Sequence, residues 1–354
     1  MTAATSSDHG AEATVIAHSM SSIDGSEVAT VQLRHHRFIL AEVNTHGHAK
    51  SSASSRAVPT AKQLKALLAD IAYPVEFGTM RPGMQAGPPL TGEKAIAAHQ
   101  VWTRGALRAI ETTLELVAGP ELVHDVIGAY EERSLVGMWS FHEPTASRRA
   151  VDAVIEEVLD KVERYPSLAL NVHKQIANRP LETYMWHLSV HTAHLNGHGS
   201  SWENLFRQRC TPTDGSPALA QPEFYVAADL IRAALEQSTP RLLDATEAHT
   251  PYLQGVDLSE YSPDLLAAIS TARCARTSYQ SQAGVRDPLD DLRMFIDLRR
   301  AHPPHWAPFE HVTRPSVDSA GRIPGWRPLR HDDGWLLEVE SATKTRRALE
   351  GATS

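Results

Sequence analysis

Cysteine is scarce in this chain. Cys210 and Cys274 are the only two in 354 residues, with no CxxC pair, which excludes a disulfide framework and a cysteine-rich zinc site. Lysine is scarce as well, 7 residues against 27 arginines, so cationic contacts fall mainly to arginine, the better group for a bidentate grip on phosphate or carboxylate. There is no excess of positive charge: the formal net charge is −8, which argues against general binding to nucleic acid or an anionic membrane surface. No apolar run approaches the length of a membrane span, and the N-terminus has no basic-then-apolar signal region. A cytoplasmic protein is expected. A GxGxxG turn after a strand, a GxxxxGK[ST] phosphate loop, HExxH and GxSxG are all missing, which excludes the Rossmann, Walker, zincin and nucleophile-elbow designs.

Apolar residues make up 42% of the chain and charged residues 21%, enough material for a buried core. Residues 1–26, rich in Ser, Ala and Thr, read as a mobile leader, and 342–354 as a mobile tail, leaving 27–341 as one catalytic domain. Val28 to Val43 reads as strand around the charged cluster Arg34-His35-His36-Arg37, which suits a solvated turn or sheet face. Helical spacing then dominates. Ile96, Val101, Leu107, Ile110, Leu114 and Val117 predict one long helix ending near Gly119-Pro120. Val151 to Val162 predict another, stopped by Pro166. Further helices are expected over Leu181–Leu195, after Pro222, and over Leu265–Arg276 and Leu289–Arg300. The balance is an α+β fold, helix-rich around a small sheet.

Histidine is abundant, at 19 residues, and His187, His191, His194 and His198 are spaced by 4, 3 and 4. On a helix they would form one stripe, and imidazoles at i and i+4 can share a metal ion. A metal-dependent hydrolase or oxygenase built on that helix is therefore one reading. A polar face lining a ligand cavity, with no metal, is the other.

Several short segments carry a family resemblance. Trp202-Glu203-Asn204-Leu205-Phe206-Arg207-Gln208-Arg209, followed by Ala220-Gln221-Pro222-Glu223, resembles the N-x-F-x-x-x-R and AQ-x-E signature of the flavin-dependent thymidylate synthases. Thr45-His46-Gly47 with Ser54-Ser55-Arg56 is similar to that family's RHR and S-x-R motif, without its two flanking arginines. Ala275-Arg276-Thr277-Ser278-Tyr279 is similar to its A-R-x-S-aromatic turn, and His305-Trp306-Ala307-Pro308-Phe309-Glu310-His311 to its H-x-x-P-F-E-H segment. The last two come first in the ordinary family and last here, so the sequence looks circularly permuted, a rearrangement tolerated when termini lie close at a surface. The divergent motifs also resemble the uridylate C5-methylases of nucleoside-antibiotic pathways such as polyoxin biosynthesis.

The resemblance implies reductive C5-methylation of a uridine monophosphate, UMP or dUMP, by a bound FAD with NADPH and methylenetetrahydrofolate as co-substrates. It implies a homotetramer with sites between subunits. Carried over residue by residue, it makes Arg209 the catalytic cation near the pyrimidine. Ser54, Ser55 and Arg56 become phosphate donors, with Arg179 a weaker candidate and Glu42 near the uracil. His46, His198, Asn204, Ser278 and His305 are placed at the flavin. No thiol is required, so Cys210 and Cys274 read as small buried hydrophobes. A non-catalytic flavin- or nucleotide-binding protein is the remaining alternative.

Overall fold

The computed structural model describes residues 3–196, 201–212, 220–277, 287–317, 323–331 and 333–351. The chain separates into two compact units assembled from different segments. One comprises 1–34, 42–53 and 188–354; the other comprises 35–41 and 54–187.

In chain order the strands are β1 (Ala4–Ser6), β2 (Glu12–Ser21), β3 (Glu27–His36), β4 (Ala49–Ser52), β5 (Trp186–His194), β6 (Arg241–Leu243), β7 (Thr313–Pro315) and β8 (Trp326–Pro328). The helices are α1 (Leu40–Val43), α2 (Thr60–Ala69), α3 (Gly92–Ala118), α4 (Pro120–Gly128), α5 (Pro144–Arg164), α6 (Lys174–Ala177), α7 (Trp202–Arg209), α8 (Pro222–Glu236), α9 (Pro263–Ala275), α10 (Pro288–Arg300) and α11 (Asp333–Gly351). The fold is α+β.

The first unit is built on a sheet in the order β1-β2-β3-β5-β4, with β6 added alongside β2. β1, β2 and β3 form an antiparallel meander, β4 is antiparallel to β5, and β6 is parallel to β2. Thr5 Oγ1 donates to the Leu230 carbonyl at 2.8 Å, fixing β1 to α8. A second apolar cluster gathers α9, α10 and α11 around Ile269, Phe295, Phe309 and Leu336.

The second unit is helical. Leu64 and Leu67 of α2, Leu107, Ile110 and Leu114 of α3, Val123 and Ile127 of α4, and Val151, Val154 and Val158 of α5 share one core. Their spacing of three and four residues puts each set on one helix face. Gly119, at φ 95°, closes α3, and Pro120 opens α4 as its first residue, a glycine stop followed by a proline start.

Several expectations from the sequence need correction. Residues 4–21 are not a leader but two strands of the sheet, and the stretch 342–351 belongs to α11. The Arg34–Arg37 cluster is not a solvated face, since His35 and His36 are fully buried. Phe38–Val43 turns into a short 3-10 segment and α1 rather than strand. Ile96 and Val101, counted in the apolar spacing of α3, are about 60% exposed. The expected helix over Leu181–Leu195 is a 3-10 turn at Arg179–Tyr184 followed by β5. Ser189 to His194 of that strand are all buried, and a strand covered on both faces loses the alternation that would identify it.

Candidate functional site

The strand geometry of β5 dismantles the histidine stripe. Successive side chains on a strand point to opposite faces, so His187 and His191 share one face and His194 lies on the other. His198 lies outside the described residues. The metal reading therefore loses its helix. Among the described residues, one group converges closely enough for a metal ion, namely Glu111 and Glu115 of α3 with the exposed His124 of α4.

In the first unit a different set of histidines meets α7. Ser201 caps this helix, its hydroxyl accepting from the Asn204 N–H at 3.1 Å. Trp202 is fully buried and donates through Nε1 to the Ala29 carbonyl of β3 at 3.1 Å, which sets the rotation of α7 against the sheet. Arg209 is thereby delivered in the last turn, where the helix dipole favours a cation. Its Nε donates to His46 Nε2 at 3.1 Å, and its guanidinium lies 5.2 Å above the ring of Phe224. The His46 ring meets the same phenyl edge-on at 5.8 Å.

His46 must be neutral at Nε2 to accept that bond. Burial holds its pKa down to about 4, with the Arg209 and Lys50 charges adding to the effect. Behind it His48, buried between Trp202 at 4.5 Å and His191 at 6.0 Å, is held at about 3, chiefly by burial. The terminal nitrogens of Arg209 make no hydrogen bond among the described residues. A fixed cation on an aromatic floor, supported by a neutral imidazole, is suited to stabilising negative charge on a planar ligand.

The remaining expected residues fall as follows. Asn204 is on α7, one turn before Arg209, and its Oδ1 accepts from Arg207 at 2.6 Å and Gln208 at 3.1 Å. Glu42 sits in α1 rather than on an edge strand, and its carbonyl accepts from Thr45. His305 is exposed and lines an open cavity of about 500 Å³ with Arg276, Arg293, Met294 and Leu298. Two of the resembling segments thus share one cavity wall. Ser278 lies outside the described residues.

Ser54, Ser55, Arg56 and Arg179 belong to the second unit. There Asn178 Nδ2 donates to the Ser55 and Val58 carbonyls at 2.8 and 3.2 Å, and Lys174 Nζ to the Ala57 carbonyl at 3.0 Å. The serine-arginine turn is therefore tied to the segment that carries Arg179. Arg56 is exposed, while Arg179 is engaged with Glu182 at 2.9 Å, so Arg56 is the better placed of the two for an incoming anion.

Both thiols are buried. Burial raises the Cys210 pKa to about 12 and that of Cys274 further still, so neither is an activated nucleophile. Gln221 and Glu223 stand at the start of α8, Gln221 at the cap and Glu223 buried in the first turn. The sequence reading missed Phe224 and His48. Phe224 directly follows the AQ-x-E stretch, and the alternating His46-Gly47-His48 was the available signal for the second. No helix among the described residues is long and apolar enough to cross a membrane. Comparison with models of known protein families, with curated proteins and with solved structures finds no match.

Proposed function

We propose that the protein is an FAD-dependent methylase that places a methyl group on C5 of UMP or dUMP, drawing the carbon from methylenetetrahydrofolate and the reducing equivalents from NADPH. The observation that carries this reading is the contact of His46 with Arg209. These residues come from two separate resembling segments, 163 positions apart, and they meet at 3.1 Å. The donor set around Arg209 suits the cofactor: a cation, a neutral imidazole and an aromatic face beside buried His48 and Trp202.

Bound flavin would supply the hydride chemistry. The chain's own residues then bind and stabilise. Arg209 offsets the negative charge that develops on the uracil ring, at a fixed position that needs no reorganisation. His46 keeps Arg209 oriented and, being neutral, adds no competing positive charge. Within the second unit, Arg56 with Ser54 and Ser55 offers charge-assisted donors of the kind a phosphate takes. A homotetramer with shared sites, of cytoplasmic location, belongs to the same reading.

The test is the visible spectrum of the freshly purified protein before and after addition of FAD, followed by assays with UMP and dUMP. An oxidised-flavin spectrum bleached by NADPH, with C5-methylation of UMP above dUMP, is expected. A colourless protein that ignores added FAD would overturn the reading.

A further inference from the structure

A continuous line of side-chain hydrogen bonds crosses the sheet of the first unit. Ser19 Oγ meets His249 Nδ1 at 2.8 Å, and His249 Nε2 meets Thr30 Oγ1 at 2.8 Å. Thr30 Oγ1 meets Thr192 Oγ1 at 2.6 Å. Thr192 Oγ1 meets His311 Nδ1 at 2.8 Å, and His311 Nε2 meets Ser51 Oγ at 3.0 Å. The four hydroxyl residues lie on β2, β3, β5 and β4 in that order, which is the order of the strands in the sheet. The line therefore runs across the strands, with the two imidazoles bridging its ends.

Thr30, Thr192, His249 and His311 are fully buried, Ser19 is 4% exposed and Ser51 is partly exposed. Burial holds both imidazoles at a pKa of about 3, so each is neutral and carries one N–H and one bare nitrogen.

Each group in the line can both donate and accept, and this restricts where the protons can be. If both histidines carry the proton on Nε2, then Ser19 donates to His249, His249 to Thr30, Thr30 to Thr192, Thr192 to His311 and His311 to Ser51. If both carry it on Nδ1, every bond reverses. A mixed state with Nε2–H on His249 and Nδ1–H on His311 makes each ring donate to its threonine. One threonine hydroxyl proton is then left with no acceptor along the line. The opposite mixture makes both threonines donate outward and leaves two oxygens 2.6 Å apart with no proton between them. Either defect costs a buried hydrogen bond.

We propose that Ser19, His249, Thr30, Thr192, His311 and Ser51 form a proton relay with two permitted arrangements, in which the two histidines change tautomer together. Passage from the Nδ1–H to the Nε2–H arrangement takes up one proton from water at the Ser51 oxygen and gives one up to water at Ser19. Each intervening proton crosses one hydrogen bond, and no group changes its net charge. The relay joins the end of the Pro308-Phe309-Glu310-His311 segment to β2, three strands away from β4 in the sheet. It stands independently of the methylase reading, since neither flavin nor nucleotide enters it.

The experiment is long-range ¹H–¹⁵N correlation on the full-length protein labelled with ¹⁵N-histidine, with the two rings assigned through His249→Gln and His311→Gln. Near neutral pH both rings should be neutral and show the same fraction of Nε2–H. Different tautomer fractions in the two rings, or an imidazolium at either, would overturn the relay. Thr192→Val keeps the shape of the central residue and removes its hydroxyl. It should move the ring ¹⁵N shifts of His249, two links away; unchanged His249 shifts in a folded variant would equally overturn it.

Discussion

Arg209 and His46 meet in opposite electrical states: the guanidinium lies against an imidazole that burial, and the guanidinium charge itself, keep neutral. Burial is the larger influence on His46 and the Arg209 charge the second. Replacing Arg209 with Ala should therefore raise the His46 pKa above about 4 without restoring it to its ordinary 6.5. NMR titration of the His46 ring checks this, and a pKa unmoved by the substitution would show that Arg209 does not act on His46.

Arg209→Lys is a sharper test of the chemistry. A lysine ammonium is a point charge without the planar fork, so it cannot keep the Nε bond to His46 while lying over Phe224. Methylation should fall by about 100-fold or more, with the melting temperature little changed. Wild-type turnover in the lysine variant would remove Arg209 from the mechanism.

Asp291 is a buried carboxylate clasped by two arginines, Arg273 at 2.8 Å and Arg276 at 3.1 Å. Truncation to Ala leaves both cations facing a site built for an anion. The expected loss is about 3–5 kcal/mol in urea unfolding, large against the stability of an ordinary domain. Both arginines belong to α9 or its end, next to the segment that resembles the A-R-x-S turn, so this ion pair also fixes one wall of the His305 cavity.

Gly105 presents two opposed effects on α3. Alanine is the better helix former by about 1 kcal/mol, but a Cβ here would run into the hydroxyl of Tyr184. That ring is already packed edge-on against Trp102 at 5.1 Å, so it has little room to retreat. Overpacking of this kind costs about 1–3 kcal/mol, and Gly105→Ala should destabilise the protein. A higher melting temperature in the variant would contradict the packing argument.

Acid should unfold the protein earlier than its carboxylates alone would require. His35 and His46 are held to a pKa of about 4, and His48, His249 and His311 to about 3, in every case mainly by burial. Between pH 6.5 and about 4 the unfolded chain binds protons on these histidines that the folded chain does not, so stability rises with pH across that window and is lost as pH falls. Each buried ring contributes a slope of about 1.4 kcal/mol per pH unit there. Chemical unfolding at pH 7.5, 6 and 5 measures it; a flat profile would mean that these rings are hydrated in the native state.

How much of this was legible in the sequence depended on what each element packs against. α5 and α8 stood out because one face is wet, which leaves a helical period in the apolar residues, and because Pro166 and Pro222 mark a stop and a start. β5 was misread because both of its faces are covered, so nothing alternates and the histidine spacing imitated a helix. His35 and His36 looked solvated because burial of an imidazole depends on partners far along the chain, such as the Tyr73 carbonyl that accepts from His36 at 2.6 Å. The site residues were found only through short resembling segments. The contact between His46 and Arg209 and the line from Ser19 to Ser51 join residues 119 to 260 positions apart, and no local pattern encodes such distances.

The place of β2 has a practical bearing on how the protein can be produced. It lies between β1 and β6 on one side and β3 on the other, so shortening the chain to begin at residue 27 would remove an interior strand and not a dispensable extension. The stripped edge of β3, carrying Val28, Val31 and Leu33, would present unpaired backbone to any other extended chain. Such a shortened protein should be recovered mainly as insoluble material, and expression designs for this chain do better to keep its first 26 residues.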